Sequence, residues 1–354
     1  MNGRYKAIWL NDTGDLEVID QRYLPFEKKT RILKTAVDSC EAIKDMTVRG
    51  AGVIGNVAAF GVYLAAREFD GNKTQVKQSA MVIRESRPTA INLMWAIDRM
   101  MVVVEQSSDV VNDCKREAIA IADEDVLRTQ KVGEFGCGII ENIMAKKKIN
   151  QFNILTHCNA GWLAILDSGS ALAPIYEAHK RGIDIHVWVD ETRPRNQGAS
   201  LTSWELLDAG IQHTIIPDNT GGFLMQQGKV DMVVTGADRV ALNGDAANKI
   251  GTYLKALAAK DNHVPFYVAL PISTFDFECN NGVQDIEIEI RSEDEVHIMR
   301  GVDENGRIQN IRITAEGSVA ANYGFDVTPA RLITGLITEA GVIAPNKDAI
   351  GKLK

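Results

Sequence analysis

A histidine, a cysteine and an asparagine stand side by side in ILTHCNAGWLAI, residues 154–165, directly after an apolar run. A cysteine in that position admits three chemistries: a buried thiol packing as a small hydrophobe, a redox centre, or a reactive group governed by its thiolate fraction. Taken alone, the first is the commonest. Position raises the interest of Cys158, because the run before it reads as a strand and NAGWLAILD after it as a helix. The N-terminus of such a helix would lower the thiol pKa or hold an anion beside it. His157 is disfavoured as a base for Cys158, since neighbours on an extended segment point to opposite faces.

Asp238, in TGADRVALNGDAANKIGTY, is a second candidate. It reads either as a general acid or base, or as a carboxylate paired structurally with Arg239 or Arg193. The stretch GDAANKIG reads as a loop feeding a helix whose amides, with Lys249, grip a substrate. Arg49 in TVRGAGVIG and Arg87 in ESRPTAIN precede residues that favour tight turns or helix starts, as a phosphate site needs. Alone, each arginine is as well explained as a surface or inter-domain charge. The Pro-interrupted ETRPRNQGASLTSWELL, with Gln197, reads as a pocket wall. No GxxxxGK[ST] occurs and no GxGxxG follows the first strand of the sheet, so neither a P-loop nor a dinucleotide fingerprint is present.

The elements that must position these groups fall into two parts. Residues 1–147 read as a helical domain with a small hairpin, in which KAIWL and LEVID flank the turn NDTGD. From Lys28 to about Ala145 the spacing is helical, with Ile32, Leu33, Ala36, Val37, Cys40 and Ile43 on one face. GAGVIGNVAAFGVYLAAREF is rich in Gly and Ala, suited to close helix packing, and a further helix is expected to start at Thr89 behind Pro88. Residues 148–354 read as a Rossmann-like, doubly wound parallel sheet. Its buried strands are FNILT, DIHVWV, QHTII, VDMVV and VPFYVAL, separated by helical stretches. Ligands of such sheets bind beyond the carboxyl ends of the strands, which is where Cys158 and Asp238 fall.

Composition limits the partners. The 354 residues carry a net charge of -8 and 24% charged residues, which leaves no global basic field for nucleic acid or anionic lipid. Five widely spaced cysteines without a CxxC argue against a disulfide framework or a zinc cluster and for a reducing cytoplasm. No signal-peptide core and no membrane-length apolar run is read, and no resolving cysteine for a redox role of Cys158 is recognised.

Six ordered blocks together resemble the methylthioribose-1-phosphate isomerase family, a relative of the α, β and δ subunits of translation initiation factor 2B. They are MTVRGA with Ile54-Gly55, RPTAINLMWA, ILTHCNAGWLA, VDETRPRNQGASLTSWEL, GADRVALNGDAANKIGTY and FDVTPARLITGLIT, spanning residues 46–338. The resemblance implies that Cys158 and Asp238 are catalytic. It implies that Arg49, Gly50, Ala51, Arg87, Gln197, Asn248 and Lys249 bind substrate. It further implies an aldose–ketose isomerase of methionine salvage, acting without metal or cofactor on a small sugar phosphate, as a cytoplasmic homodimer that binds neither nucleic acid nor membrane.

In that reaction C1 is locked as a phosphate ester, so the ring oxygen must be protonated as the C1–O bond breaks, a task for a protonated Asp238 in a dry site. Hydrogen then moves from C2 to C1, through an enediol-like intermediate with Cys158 or Asp238 as base, or as a hydride; both routes stay open. The flanks depart from the family pattern: RGAGVIG stands for RGAPAIG, LPISTFDFECNNG for PTSTID and NYGFDVTPA for NPAFDVTPA. These departures leave the 5-substituent of the sugar open. A 5-deoxyribose-1-phosphate isomerase is the alternative, followed by a ribose-1,5-bisphosphate isomerase and a non-catalytic subunit like those of initiation factor 2B.

Overall fold

The computed structural model describes residues 7–87 and 90–354. The chain opens with β1 (Ile8–Leu10) and β2 (Leu16–Ile19), an antiparallel pair to which β3 (Thr30–Leu33) adds a third strand. Ile32 and Leu33 therefore lie in a strand, not on the helical face to which their spacing pointed. The Thr35 side chain, accepting from the Asp38 amide, caps α1 (Ala36–Lys44) and marks where the helix truly starts.

Next come α2 (Ala51–Glu68), α3 (Lys73–Arg84), α4 (Ile91–Gln106) and α5 (Val110–Lys147). The expected start at Thr89 behind Pro88 lies outside the described residues. Helix α2 is buried almost all round, as its small and apolar residues allow, and α1, α3, α4 and α5 pack about it. At 38 residues α5 is about 57 Å long. Its first half, with Cys114, Ala118 and Ile121, belongs to the helical core; its second, with Val132, Cys137 and Ile140, belongs to the core of the sheet. One rigid element thus fixes the two cores relative to each other.

The sheet is built from β4 (Gln151–Thr156), α6 (Ala173–Lys180), β5 (Asp184–Asp190), α7 (Ser203–Asp208), β6 (Gln212–Ile216), α8 (Thr220–Gln226) and β7 (Met232–Thr235). An insertion follows, with β8 (Arg239–Ala241) and β9 (Ala246–Lys249), before α9 (Thr252–Asp261) and β10 (Phe266–Ala269). The chain ends through β11 (Phe275–Asp276), the hairpin β12 (Ile298–Val302) and β13 (Ile308–Arg312), β14 (Phe325–Thr328), β15 (Gly335–Thr338) and β16 (Gly341–Ile343). The seven-stranded order is β16-β15-β10-β7-β4-β5-β6, parallel except for β16, with separate apolar clusters on its two faces. All five strands expected from apolar runs are present. A second sheet, β11-β8-β9-β14, was not foreseen, and within it AANK is strand β9 where a loop was expected.

Successive strands run outward from β4 on one side and from β7 on the other, so the chain reverses direction between these neighbours. That reversal opens a crevice at their carboxyl ends. Cys158 follows β4 and Asp238 follows β7.

Helix α2, whose N-terminus faces this crevice, is tied to α5 by a buried polar contact. Asn56 donates to Asp125 at 2.6 Å and Arg128 to the same carboxylate at 3.1 Å. Burial pushes the Asp125 carboxyl up to about 6 against the opposing pull of Arg128 and Asn56. A folded-state value above the unfolded one of about 3.9 means that this group's contribution is fully present below about pH 4 and lost as pH rises through about 6. Asp125→Asn should remove that dependence. In urea unfolding, the stability difference between variant and parent should change by about 1–1.5 kcal/mol between about pH 5 and pH 7.5.

Candidate functional site

Cys158 sits in the left-handed backbone region, with φ 67°, and is held there from both sides. Its amide donates to Thr192 Oγ1 at 2.8 Å, and Thr202 Oγ1 donates to its carbonyl at 2.7 Å. Cys158 is 6% exposed, and its thiol lies 3.5 Å from Gln197 Oε1, its acceptor. Thr192 is itself fixed by the Asp218 carboxylate, which accepts from the amides of Thr192 and Arg193 at 2.7 and 2.8 Å and so sets the loop that presents Gln197.

The helix expected after Cys158 does not form. Residues 160–172 run as tight turns, and the next helix starts only at Ala173. The dipole of a helix following Cys158 is therefore not there to lower the thiol. Burial pushes it up, opposed by the charges of Arg49 and Lys249 and reinforced by Asp238.

Arg49 reaches across to the residue after the cysteine. Its guanidinium donates to Asn159 Oδ1 at 2.6 Å and to the Asn159 carbonyl at 3.0 Å, and it has no carboxylate in ion-pair range among the described residues. Gly50, with φ 92°, then turns the chain into α2 without a side-chain cap, leaving that helix N-terminus available to an anion. A Cβ at Gly50 would stand 2.5 Å from Ala164 Cα, so the turn closes only with glycine. Gly52, where the resemblance expects proline, packs under Ile165, which a Cβ would meet at 2.7 Å.

Asp238 pairs with neither arginine proposed for it. Arg239 binds Asp276, and Arg193 donates to the carbonyls of Pro194 and Val296. Asp238 keeps some surface open to the cavity, yet the protein around its carboxyl excludes water and pushes it up, against the pull of Lys249, Arg87 and Arg49. The desolvated Lys249 is pulled down from the ordinary lysine value, opposed by Cys158 and Asp238. Its ammonium donates to the Gly324 carbonyl at 2.7 Å and stands over the Phe325 ring. Arg87 is 3.4 Å from Glu289.

Two narrow clefts meet at Ala51 and Asp238. One, of about 20 Å³, is lined by Arg49, Gly50, Cys158, Asn159 and Asn248. The other, of about 30 Å³, is lined by Ile54, Arg87, Ala90, Ile286, Glu287 and Phe325. Each admits only one or two waters. Arg49 and Gln197 also border an outer cavity of about 510 Å³ that carries Arg22, Arg195 and Arg300. The nine residues singled out from the sequence thus lie about one crevice.

His157 borders the smaller cleft, but both its ring nitrogens are engaged elsewhere. Its ring nitrogens meet Asp190 Oδ2 and the Ile250 carbonyl, each at 2.8 Å. His157, Asp190 and Asp218 offer three converging ligand atoms, the one such group among the described residues, but Lys255 already supplies a cation there, 3.2 Å from Asp190. The site residues that sequence reasoning passed over are Thr192, Thr202 and Asn159. Asn159 sits inside the quoted motif, and both threonines sit in ETRPRNQGASLTSWELL, where the arginines and Gln197 drew attention.

The chain is similar to known proteins over nearly its whole length. The profile of the Initiation factor 2 subunit family matches residues 43–345. A methylthioribose-1-phosphate isomerase of Sulfurimonas denitrificans is 63% identical, covering 99% of this chain and 98% of its own. One of Brucella anthropi is 50% identical over 99% of this chain and 97% of its own. Among solved structures, 5-methylthioribose 1-phosphate isomerase from Pyrococcus horikoshii superposes with a TM-score of 0.81 at 39% identity, covering 98% of this chain and 95% of that one. The structure titled translation initiation factor eIF-2B, subunit delta, from A. fulgidus superposes with a TM-score of 0.80 at 37% identity, covering 98% of each chain.

Gly50→Ala should cost about 1–3 kcal/mol from the backbone conformation alone. Denaturant unfolding would report that loss, and titration calorimetry should show weaker binding of inorganic phosphate.

Proposed function

The chain belongs to the methylthioribose-1-phosphate isomerases of the initiation factor 2 subunit family, and on that premise we propose that it converts 5-methylthioribose 1-phosphate to 5-methylthioribulose 1-phosphate in methionine salvage. The observation that carries the chemistry is the pairing of a desolvated Asp238 with a desolvated Cys158 at the reversal point of the sheet. A carboxyl whose pKa is raised by burial remains an acid that can protonate the ring oxygen. The C1–O bond then breaks, leaving an electron-poor C1 that carries the phosphate ester. The C2 hydrogen passes to C1, either as a hydride or by way of a base, the newly formed Asp238 carboxylate or Cys158. The C2 hydroxyl loses its proton to become the ketone, and Asp238 recovers one. Arg49 and the N-terminus of α2 hold the phosphate, Gln197 orients the thiol, and Asn248, Lys249 and Arg87 close the remaining sides.

The walls favour the methylthio sugar. Beyond Asp238 the cleft is bounded by Ile54, Ala90, Ile286 and Phe325, a fit for an apolar 5-substituent. A second phosphate there would face Glu287 and find Arg87 engaged by Glu289, which weighs against ribose 1,5-bisphosphate. The non-catalytic reading draws on the likeness to the eIF-2B delta structure, but leaves a buried thiol and carboxyl beside shared cations without a purpose. The buried, unpaired thiols fit a cytoplasmic setting. Exposed apolar side chains on the edge strand β6 (Ile215) and on the helices before and after it (Leu207, Phe223) fit a homodimer.

Cys158→Ser and Asp238→Asn should each lower kcat at least about 100-fold, with an unchanged thermal midpoint; turnover near that of the parent in either variant would remove that residue from the mechanism. Across 5-methylthioribose 1-phosphate, 5-deoxyribose 1-phosphate and ribose 1,5-bisphosphate, kcat/KM should fall in that order. A higher value for 5-deoxyribose 1-phosphate would transfer the assignment to that sugar, and no turnover of any of them would favour the regulatory subunit.

A further inference from the structure

Glu205, on α7, is 0% exposed, lines neither cleft, and has no cation in ion-pair range among the described residues. A buried carboxylate without a counter-charge is costly unless its oxygens are fully hydrogen-bonded, and these are. Oε1 accepts from Asn159 Nδ2 at 2.9 Å and from the Leu163 amide at 3.1 Å; Oε2 accepts from the Trp162 amide at 2.8 Å and from the Tyr176 hydroxyl at 2.7 Å.

Two consequences reach the crevice. An asparagine amide has one donor end and one acceptor end. With Nδ2 held by Glu205, Asn159 must turn Oδ1 toward Arg49, which donates to it at 2.6 Å. The guanidinium is therefore fixed by a neutral group and keeps its charge for an anion, while one amide further back lies the Glu205 carboxyl, which burial pushes up and its four hydrogen-bond donors pull down. Glu205 also pins the Trp162 and Leu163 amides, and with them the turn whose Ala164 carbonyl accepts from Val53 in the first turn of α2. Both groups assigned to the phosphate are thus referred to one carboxylate.

We propose that Glu205 is a positioning residue that sets Arg49 and the start of α2 for the substrate phosphate, an inference that rests on the isomerase reading above. Glu205→Gln turns one oxygen into a donor facing two donors, which weakens the hold on the Asn159 amide and leaves Thr202 Oγ1, 3.2 Å from Nδ2, as its other acceptor. The expected result is a KM for 5-methylthioribose 1-phosphate raised at least tenfold with kcat changed less than threefold. In an Arg49→Ala background the same substitution should raise KM clearly less than in the parent, because the path through Arg49 is already cut and only that through the start of α2 remains. An unchanged KM in the single variant, or an equal rise in both backgrounds, overturns the proposal, since a merely structural loss would add. Should the parent turn over no sugar phosphate, the isomerase reading fails on its own. The same four-protein cycle is then read as the Kd for inorganic phosphate, where additivity again sinks the positioning role. If Glu205→Gln does not fold, Glu205→Asp, which keeps the charge but withdraws it by one methylene, carries the cycle with the same outcomes.

Discussion

Excluding water from the crevice between β4 and β7 raises the cost of every charge placed there, and much of the surrounding architecture answers that cost. The thiol of Cys158 and the carboxyl of Asp238 both shift toward their neutral forms, while Lys249 shifts the same way from the opposite sign. Among the described residues, no close ion pair neutralises Lys249 or Arg49. The protein holds Lys249 by the Gly324 carbonyl and Arg49 by Asn159, neutral oxygens that fix direction without consuming charge. A site arranged this way is electrostatically unfinished until an anion arrives, and an electrostatic interaction is worth more in a dry crevice than in water.

Such a cluster needs a frame that does not relax around it. Helix α5 supplies one by sharing its length between the helical core and the core of the sheet. Helix α2, enclosed by its neighbours and tied to α5 through Asn56 and Asp125, cannot withdraw its N-terminus from the crevice. On the other side, two threonine hydroxyls hold the Cys158 backbone in a conformation that a free chain seldom visits.

Where the sequence was legible, a strong local pattern was present. Five parallel strands stood out as apolar runs, although β6 is an exposed edge strand and not buried as expected, and the position of Cys158 and Asp238 followed from where those runs end. The second sheet did not stand out, because AANK and RVA are too short and too rich in small residues to alternate. Ile32 and Leu33 matched helical spacing with Ala36 by coincidence of number, and only the Thr35 cap separates strand from helix. NAGWLAILD has helix-like spacing as well, yet two of its amides are claimed by Glu205, so tertiary hydrogen bonds replace the local ones. Glu205 itself, a polar residue in an apparently amphipathic SWELL, carries no local sign of being buried; its partners lie far away in the chain.

The two clefts that meet at Asp238 are not built from the same parts. Cys158, Asp238 and Arg49 stand on the ends of β4 and β7 and at the start of α2, whereas Ile286, Ala90 and Phe325 come from a connecting segment, the approach to α4 and strand β14. Reaction and recognition are therefore carried by separable pieces of chain. A lineage can remodel the far wall for a shorter or bulkier sugar while the bond-breaking end stays untouched, which makes this fold a ready source of paralogues with one chemistry and several diets.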